Sequence, residues 1–357
     1  MKQLRVFVSV TFIAISGSAG ADSLSSIKTC ISQGYNGMTN RHGIAAAVVD
    51  AYGWQIMTFG SAQPDQLFEI GSVTKTFTAN LLAQSVSNGS ININDAIPDA
   101  YQKQGSTITY QQLTTHTSGI IEGIFPSFRI KNPLSPFDGL TTRRFKKLYA
   151  STPLATQPSM AWSYSNIGIS LLGLILAENA DSTYENLVKD KILNVLNLND
   201  TFFQIPKSDR HRFAEGRLVD LDGRIHNMPH WDLYKTAINP AGGLRSSITD
   251  MAKYAQANLN PESTSLEGPI KLAQQKLYSI PERNADMGMN WILEPNDGLI
   301  WHNGLTYGFN TILAISTKRN QAVVAITDTN IQIKDAEGKL SFDSSLQSVA
   351  FECLKMP

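Results

Sequence analysis

The sequence predicts an α/β fold of the α+β kind, in which one sheet is assembled from the two ends of the chain and a largely helical insertion lies between them. β-prone apolar runs occur at residues 43–60 and return between 289 and 327. From about 90 to 235 the pattern is mainly helical, broken by loops. The composition suits such a fold. Of 357 residues, 42% are hydrophobic and 17% charged, which supports a buried core and excludes a disordered chain. Thirty basic residues balance thirty acidic ones, so no positive excess is available for nucleic-acid phosphates. Two cysteines exclude a disulfide scaffold and a Cys-rich metal cluster.

The elements follow in order. Lys2 and Arg5 precede the apolar run Val6 to Ile15 and the small residues Ser16 to Ala21. That order reads as a signal peptide over 1–21, cleaved after Ala21; the run is too short to span a bilayer, which needs roughly 20 residues. An exported protein, periplasmic or secreted and without a transmembrane anchor, is expected. Residues 23–34 read as a helix with Ile27, Cys30 and Ile31 on its buried face. Gly43–Val49 and Trp54–Gly60 form a hairpin around Asp50-Ala51-Tyr52-Gly53. A helix follows Phe68-Glu69-Ile70-Gly71-Ser72 and ends at Asn88-Gly89. Ile167–Asn179 and Tyr184–Leu196 are the clearest helices of the insertion, and Pro126, Pro133, Pro136, Pro153 and Pro158 mark long irregular connections. After Gly242-Gly243 come a helix at Ser247–Asn258 and strands at Met289–Leu293, Leu299–His302, Phe309–Ser316 and Ala322–Thr327. A helix at Phe342–Leu354 closes the chain, with Leu346, Val349 and Cys353 on one face. The expected division is a sheet region over 22–85 and 240–357 and a helical region over 86–239.

Three short motifs carry chemistry. In Ser72-Val73-Thr74-Lys75 the hydroxyl and amine share one helix face at i and i+3. Ser72 sits at a helix N-terminus, which favours a developing anion. A lysine serves there as a base once its pKa is lowered. Tyr164-Ser165-Asn166 offers a phenol to relay protons and an amide to hold a substrate amide. His302-Asn303-Gly304 lies on a strand, where glycine lets substrate backbone approach. Taken singly, each motif also fits a structural role: a chance match, a core tyrosine before a cap, a strand-end histidine.

In order and with their flanks, these motifs resemble the serine penicillin-recognising enzymes: class C β-lactamases, D-Ala-D-Ala carboxypeptidases and related esterases. The resemblance rests on Phe68 to Phe77, Ile93-Asn94-Asp95 with Tyr101, Leu113 to Gly119, Pro240 to Ser246, and Trp301 to Gly304 with Tyr307-Gly308-Phe309. It implies a β-lactamase/transpeptidase-like fold: a mixed, mainly antiparallel sheet flanked by helices, beside an all-helical second domain, with the motifs in the cleft between. It also implies the roles. Ser72 is the nucleophile, Lys75 and Tyr164 share the proton work, and Asn166 orients substrate. His302, Asn303 and Gly304 line the substrate strand, with His302 where many relatives carry lysine. The backbone N–H groups of Ser72 and Leu305 form the oxyanion hole. If His302 reads a substrate carboxylate, it should titrate near pH ~6.5 and favour acidic substrates at lower pH. The family packs the two chain ends together, which makes Cys30 and Cys353 candidates for a disulfide; two buried free thiols are the alternative.

Relatives of class C usually read Y-A-N and K-T-G. Here Y-S-N and H-N-G stand instead; Y-S-N and H-x-G forms occur among the carboxypeptidases, aminopeptidases and esterases of the family. The expected substrate is a β-lactam, a peptidoglycan-type peptide or an ester, handled by a monomer without cofactor or metal. No G-x-S-x-G or H-E-x-x-H occurs. Asp220-Leu221-Asp222-Gly223 lacks the downstream ligands of a calcium loop and reads as a hairpin turn. His116 reads as a packing residue.

Overall fold

The computed structural model describes residues 24–356 apart from 232, 235 and 336. The expected signal peptide lies outside the described residues. The chain runs α1 (Ser25–Asn36), β1 (Gly43–Asp50), β2 (Trp54–Gly60), β3 (Leu67–Glu69) and α2 (Thr74–Ser87). The middle supplies α3 (Tyr110–Thr114), α4 (Thr142–Ser151), α5 (Asn166–Asn179), α6 (Tyr184–Val188), β4 (Thr201–Phe202), β5 (Gly216–Val219) and β6 (Ile225–Met228). Then follow α7 (Asn239–Gly242), β7 (Arg245–Ser247), α8 (Ile248–Leu259), α9 (Glu267–Ala273), β8 (Tyr278–Ile280), β9 (Ala285–Met287) and β10 (Ile292–Glu294). β11 (Leu299–Leu305), β12 (Asn310–Ser316), β13 (Gln321–Thr327), β14 (Thr329–Lys334), β15 (Leu340–Phe342) and α10 (Ser345–Lys355) complete it.

The main sheet has eight strands in the order β2-β1-β13-β12-β11-β10-β9-β8, all paired antiparallel. The first hairpin joins the last strands through the β1–β13 pairing, so both chain ends build this sheet. The Asp50 carboxylate closes the β1–β2 turn by accepting the Tyr52 and Gly53 N–H groups. β1 is buried along its whole length, because helices cover both faces and side chains alternate between them. Ala45, Ala47 and Val49 join the core under α8. Ile44, Ala46 and Val48 join a second core under α1 and α10. In that second core Cys30 and Cys353 form a disulfide, with Cα atoms 5.7 Å apart.

Segment 86–239 carries helices α3 to α6 between long connections. It also supplies strands β4, β5 and β6. The Asp220 carboxylate accepts the Asp222 and Arg224 N–H groups and turns the chain into the β5–β6 hairpin. β5 then pairs in parallel with β14. The expected helix Tyr184–Leu196 is α-helical only to Val188 and continues as a π-helical stretch over Lys189–Leu193. The closing helix starts at Ser345 because Phe342 ends β15.

Two helices are buried nearly all round and form the spine between the sheet and the loops of the middle segment. α5, NIGISLLGLILAEN, is apolar on every side, as a central helix must be. α2 buries every residue from Thr74 to Ala83. A three-stranded sheet, β3-β7-β4, holds the chain just ahead of α2, and Ile70 N–H donates to the Leu244 carbonyl at 3.2 Å.

Candidate active site

Ser72 stands in a single 3-10 turn, Gly71–Val73, that opens α2. One turn on, Lys75 is fully buried. Its Nζ lies 2.9 Å from Ser72 Oγ, 2.7 Å from Asn166 Oδ1 and 2.6 Å from the Ala241 carbonyl oxygen. Burial holds this amine well below the usual lysine range, because desolvation penalises the charged form. A neutral amine has two N–H bonds and one lone pair. Asn166 Oδ1 and the Ala241 carbonyl can only accept, so they take both N–H bonds. In the neutral form the lone pair is then left for the Ser72 hydroxyl, whereas a charged amine donates its third N–H to Ser72 Oγ.

Asn166 is placed by its helix. Ser165 caps α5, its hydroxyl accepting the Gly168 N–H at 3.0 Å, and Asn166 is the first helical residue. Tyr164, just before the cap, shares a side-chain hydrogen bond with Ser72 and is pushed well above the ordinary tyrosine range by burial. It therefore stands as a protonated phenol. The Lys75 Nζ lies 4.8 Å from the Tyr164 ring centre. Beneath Tyr164 packs His116, ring centres 4.5 Å apart, in agreement with the packing role expected of it. The His116 Nδ1 accepts the Ser165 N–H at 3.2 Å, and burial, with Lys75 and His302 nearby, holds the ring far below its usual pKa.

The third motif enters along β11. β10 covers only Leu299–Trp301, so the edge of His302–Leu305 is open towards Ser72. Thr306 N–H donates to Phe309 on the β12 side; strand alternation therefore turns the Leu305 N–H to the open edge. Gly304 is required here. A Cβ on it would lie 1.9 Å from the Ile70 carbonyl oxygen and 3.1 Å from the Ser72 nitrogen. This contact brings the backbone of Leu305 beside the Ser72 turn at the start of α2.

His302 departs from expectation. It is buried beside Tyr164, ring centres 6.3 Å apart, and its Nδ1–H donates to the Asn303 carbonyl at 2.6 Å. Burial first of all, and any charge on the nearby Lys75 amine, push its pKa down to about 3. The expected titration near 6.5 is therefore not met: His302 is a neutral acceptor through Nε2 at ordinary pH. Alternation sends Asn303 to the opposite face, with Leu299 and Trp301, whose core packs under α10. What Asn303 gives the site is its carbonyl.

Ser72 and Leu305 open onto a cleft of about 400 Å³ walled by Ile124, Ile130, Phe137, Trp231, Leu233, Ile238 and Tyr307, among others. Sequence reasoning did not find these walls, nor the Ala241 carbonyl. The Pro240-Ala241-Gly242-Gly243 stretch stood out, but a backbone acceptor has no side-chain signature.

Comparison with known proteins speaks to the family and the fold. The family model described as Beta-lactamase matches residues 31–345. "Protein flp" of Staphylococcus aureus strain MW2 is 25% identical over 278 residues, 75% of this chain and 54% of that protein. The chain thus spans about half the length of that relative. "Beta-lactamase" of Escherichia coli strain K12 is 26% identical over 273 residues, 71% of this chain and 68% of that protein. A solved β-lactamase/D-alanine carboxypeptidase from Pseudomonas syringae superposes with a TM-score of 0.75 at 17% identity, over 93% of this chain and 100% of that one, which speaks for the fold. With a match across residues 31–345 and a β-lactamase/transpeptidase-like fold, the chain belongs to the Beta-lactamase family of serine hydrolases.

Proposed function

We propose that the protein is a serine acyl-enzyme hydrolase of the class C β-lactamase or D-Ala-D-Ala carboxypeptidase type, attacking the amide carbonyl of β-lactams or D-Ala-D-Ala-type peptides. The observation that carries this reading is the Lys75 amine, buried and held by Asn166 Oδ1 and the Ala241 carbonyl with its Nζ 2.9 Å from Ser72 Oγ. Lys75 takes the Ser72 proton as Oγ adds to the carbonyl carbon. The oxyanion is held by the Ser72 and Leu305 N–H groups, and such donors are worth about 3–4 kcal/mol each. Tyr164, kept as a phenol, hands its proton to the leaving nitrogen and is reprotonated from Lys75. A water then attacks the acyl-enzyme by the reverse proton path and releases the acid. The leader over residues 1–21 supports export to the periplasm or beyond.

A second reading, an esterase, is favoured by one observation: His302 supplies no positive charge where a substrate carboxylate would be held. Labelling with a fluorescent penicillin, followed by mass spectrometry, tests the first reading. The expected adduct is on Ser72. Turnover of a chromogenic cephalosporin, a D-Ala-D-Ala peptide and a short-chain ester then ranks the substrates. Ester turnover alone would select the second reading, and no adduct with any acylating agent would make the protein a non-catalytic relative.

A further inference from the structure

The cleft beside Ser72 has a chemistry of its own. Its floor is the nucleophile turn, Gly71 and Ser72, with Gly242 and Leu305. Its walls come from the proline-rich connection 121–140 on one side and from Trp231, Leu233, Ile238 and Tyr307 on the other. Trp231 is the keystone: Phe137 meets it edge-on at 5.8 Å and Tyr307 at 5.1 Å. The Trp231 backbone N–H is tied at 2.7 Å to the Glu69 carboxylate, on the strand that leads to Ser72. Among the described residues no charged side chain lines the cavity. Nor does the adjoining machinery offer a charge, since Lys75 spends its N–H bonds on Asn166 and Ala241 and His302 on Asn303.

Tyr164 is not among the walls. The leaving group must sit within reach of the Tyr164 proton, so the cavity receives the other half of the substrate, the acyl half. We infer that this cavity is an acyl pocket for an uncharged, apolar acyl group, aliphatic or aromatic, with Phe137, Trp231 and Tyr307 setting its selectivity. An ionised acyl group would lose its water there and gain no charged partner among the described residues. An apolar one gains with each buried methylene, roughly fourfold in kcat/KM.

The inference rests on Ser72 as the nucleophile, and the experiment separates the two. A fluorophosphonate probe with mass spectrometry first establishes whether Ser72 is labelled; no label there overturns the nucleophile reading itself. In protein that labels, kcat/KM is measured for p-nitrophenyl acetate, butyrate and hexanoate, and for the anionic mono-p-nitrophenyl succinate. The expected result is a rise of about fifteenfold from acetate to butyrate, with succinate at least tenfold below butyrate. Phe137→Ala should flatten the chain-length series. Because Phe137 is buried, the half-exposed wall residue Ile130 provides a second variant, Ile130→Lys, which should raise succinate relative to butyrate by at least fivefold. Rates independent of acyl length, or succinate equal to butyrate in the wild type, would overturn the acyl pocket while leaving Ser72 in place.

Discussion

Lys75 and His302 are both buried nitrogen bases within one cluster, and neither can afford a full charge. For Lys75 this is an activation. Lys75→Ala should slow acylation by a thousandfold or more, the upper range for loss of a general base, and Ser72→Ala should abolish penicillin labelling with the fold intact. Labelling kinetics and the thermal midpoint check both. Since Lys75 works only when neutral, kcat/KM should fall as pH drops through its lowered pKa. For His302 the consequence is a stability term. Its pKa is about 3 folded and ~6.5 unfolded. Between those values the unfolded chain binds the extra proton, so stability is lost as pH falls below ~6.5, by up to ~1.4 kcal/mol per pH unit. His302→Asn should lose about 2 kcal/mol less than wild type between pH 7 and pH 5, read by urea unfolding. Equal slopes would mean that His302 protonates freely in the fold.

At the scale of elements, the site depends on how closely α5 and α7 approach. Gly173 of α5 faces Pro240 of α7, and a Cβ there would lie 2.4 Å from the proline ring. Pro240 is followed by Ala241, whose carbonyl holds Lys75. Gly173→Ala should therefore cost about 1–3 kcal/mol by overpacking and lower kcat at least tenfold with a smaller change in KM; steady-state kinetics of the refolded variant decide it. The elements themselves were unevenly legible. Long strands such as β1, β12 and β13 announce themselves because they are β-branched and apolar over seven or eight residues. β8 and β9 are three residues long and take their conformation from the neighbouring strand, so local sequence carries little trace of them. The i, i+3 spacing made Ser72 and Lys75 readable as neighbours; the juxtaposition of Tyr164, Asn166 and His302 with them was implied only by the family resemblance. The protonation state of His302 was not readable, since it follows from burial by elements distant in sequence. The cleft walls lie on connections without periodicity, and they escaped for that reason.

Across the whole molecule, the first described helix and the last are fastened over the same face of the main sheet. Cys30 and Cys353 are 323 residues apart in sequence, and Tyr35 of α1 donates to the Leu346 carbonyl of α10 at 3.0 Å. Replacing both cysteines by serine should cost about 2–5 kcal/mol. It should leave kcat/KM within a factor of two, because α1 and α10 pack on the face opposite Tyr164 and His302. Denaturant titration paired with kinetics tests both halves; a large loss of activity in the folded variant would show that the terminal helices reach the cleft.

The same bond decides how the molecule answers to mechanical force. Tension applied through handles outside Cys30 and Cys353 travels from one sulfur to the other and never loads the sheet. The 323-residue loop stays out of the force path, so an oxidised molecule in an optical trap should show almost no lengthening. After reduction the same pull has to strip β1 from β13, and the extension released should approach 1,100 Å, at about 3.4 Å per residue.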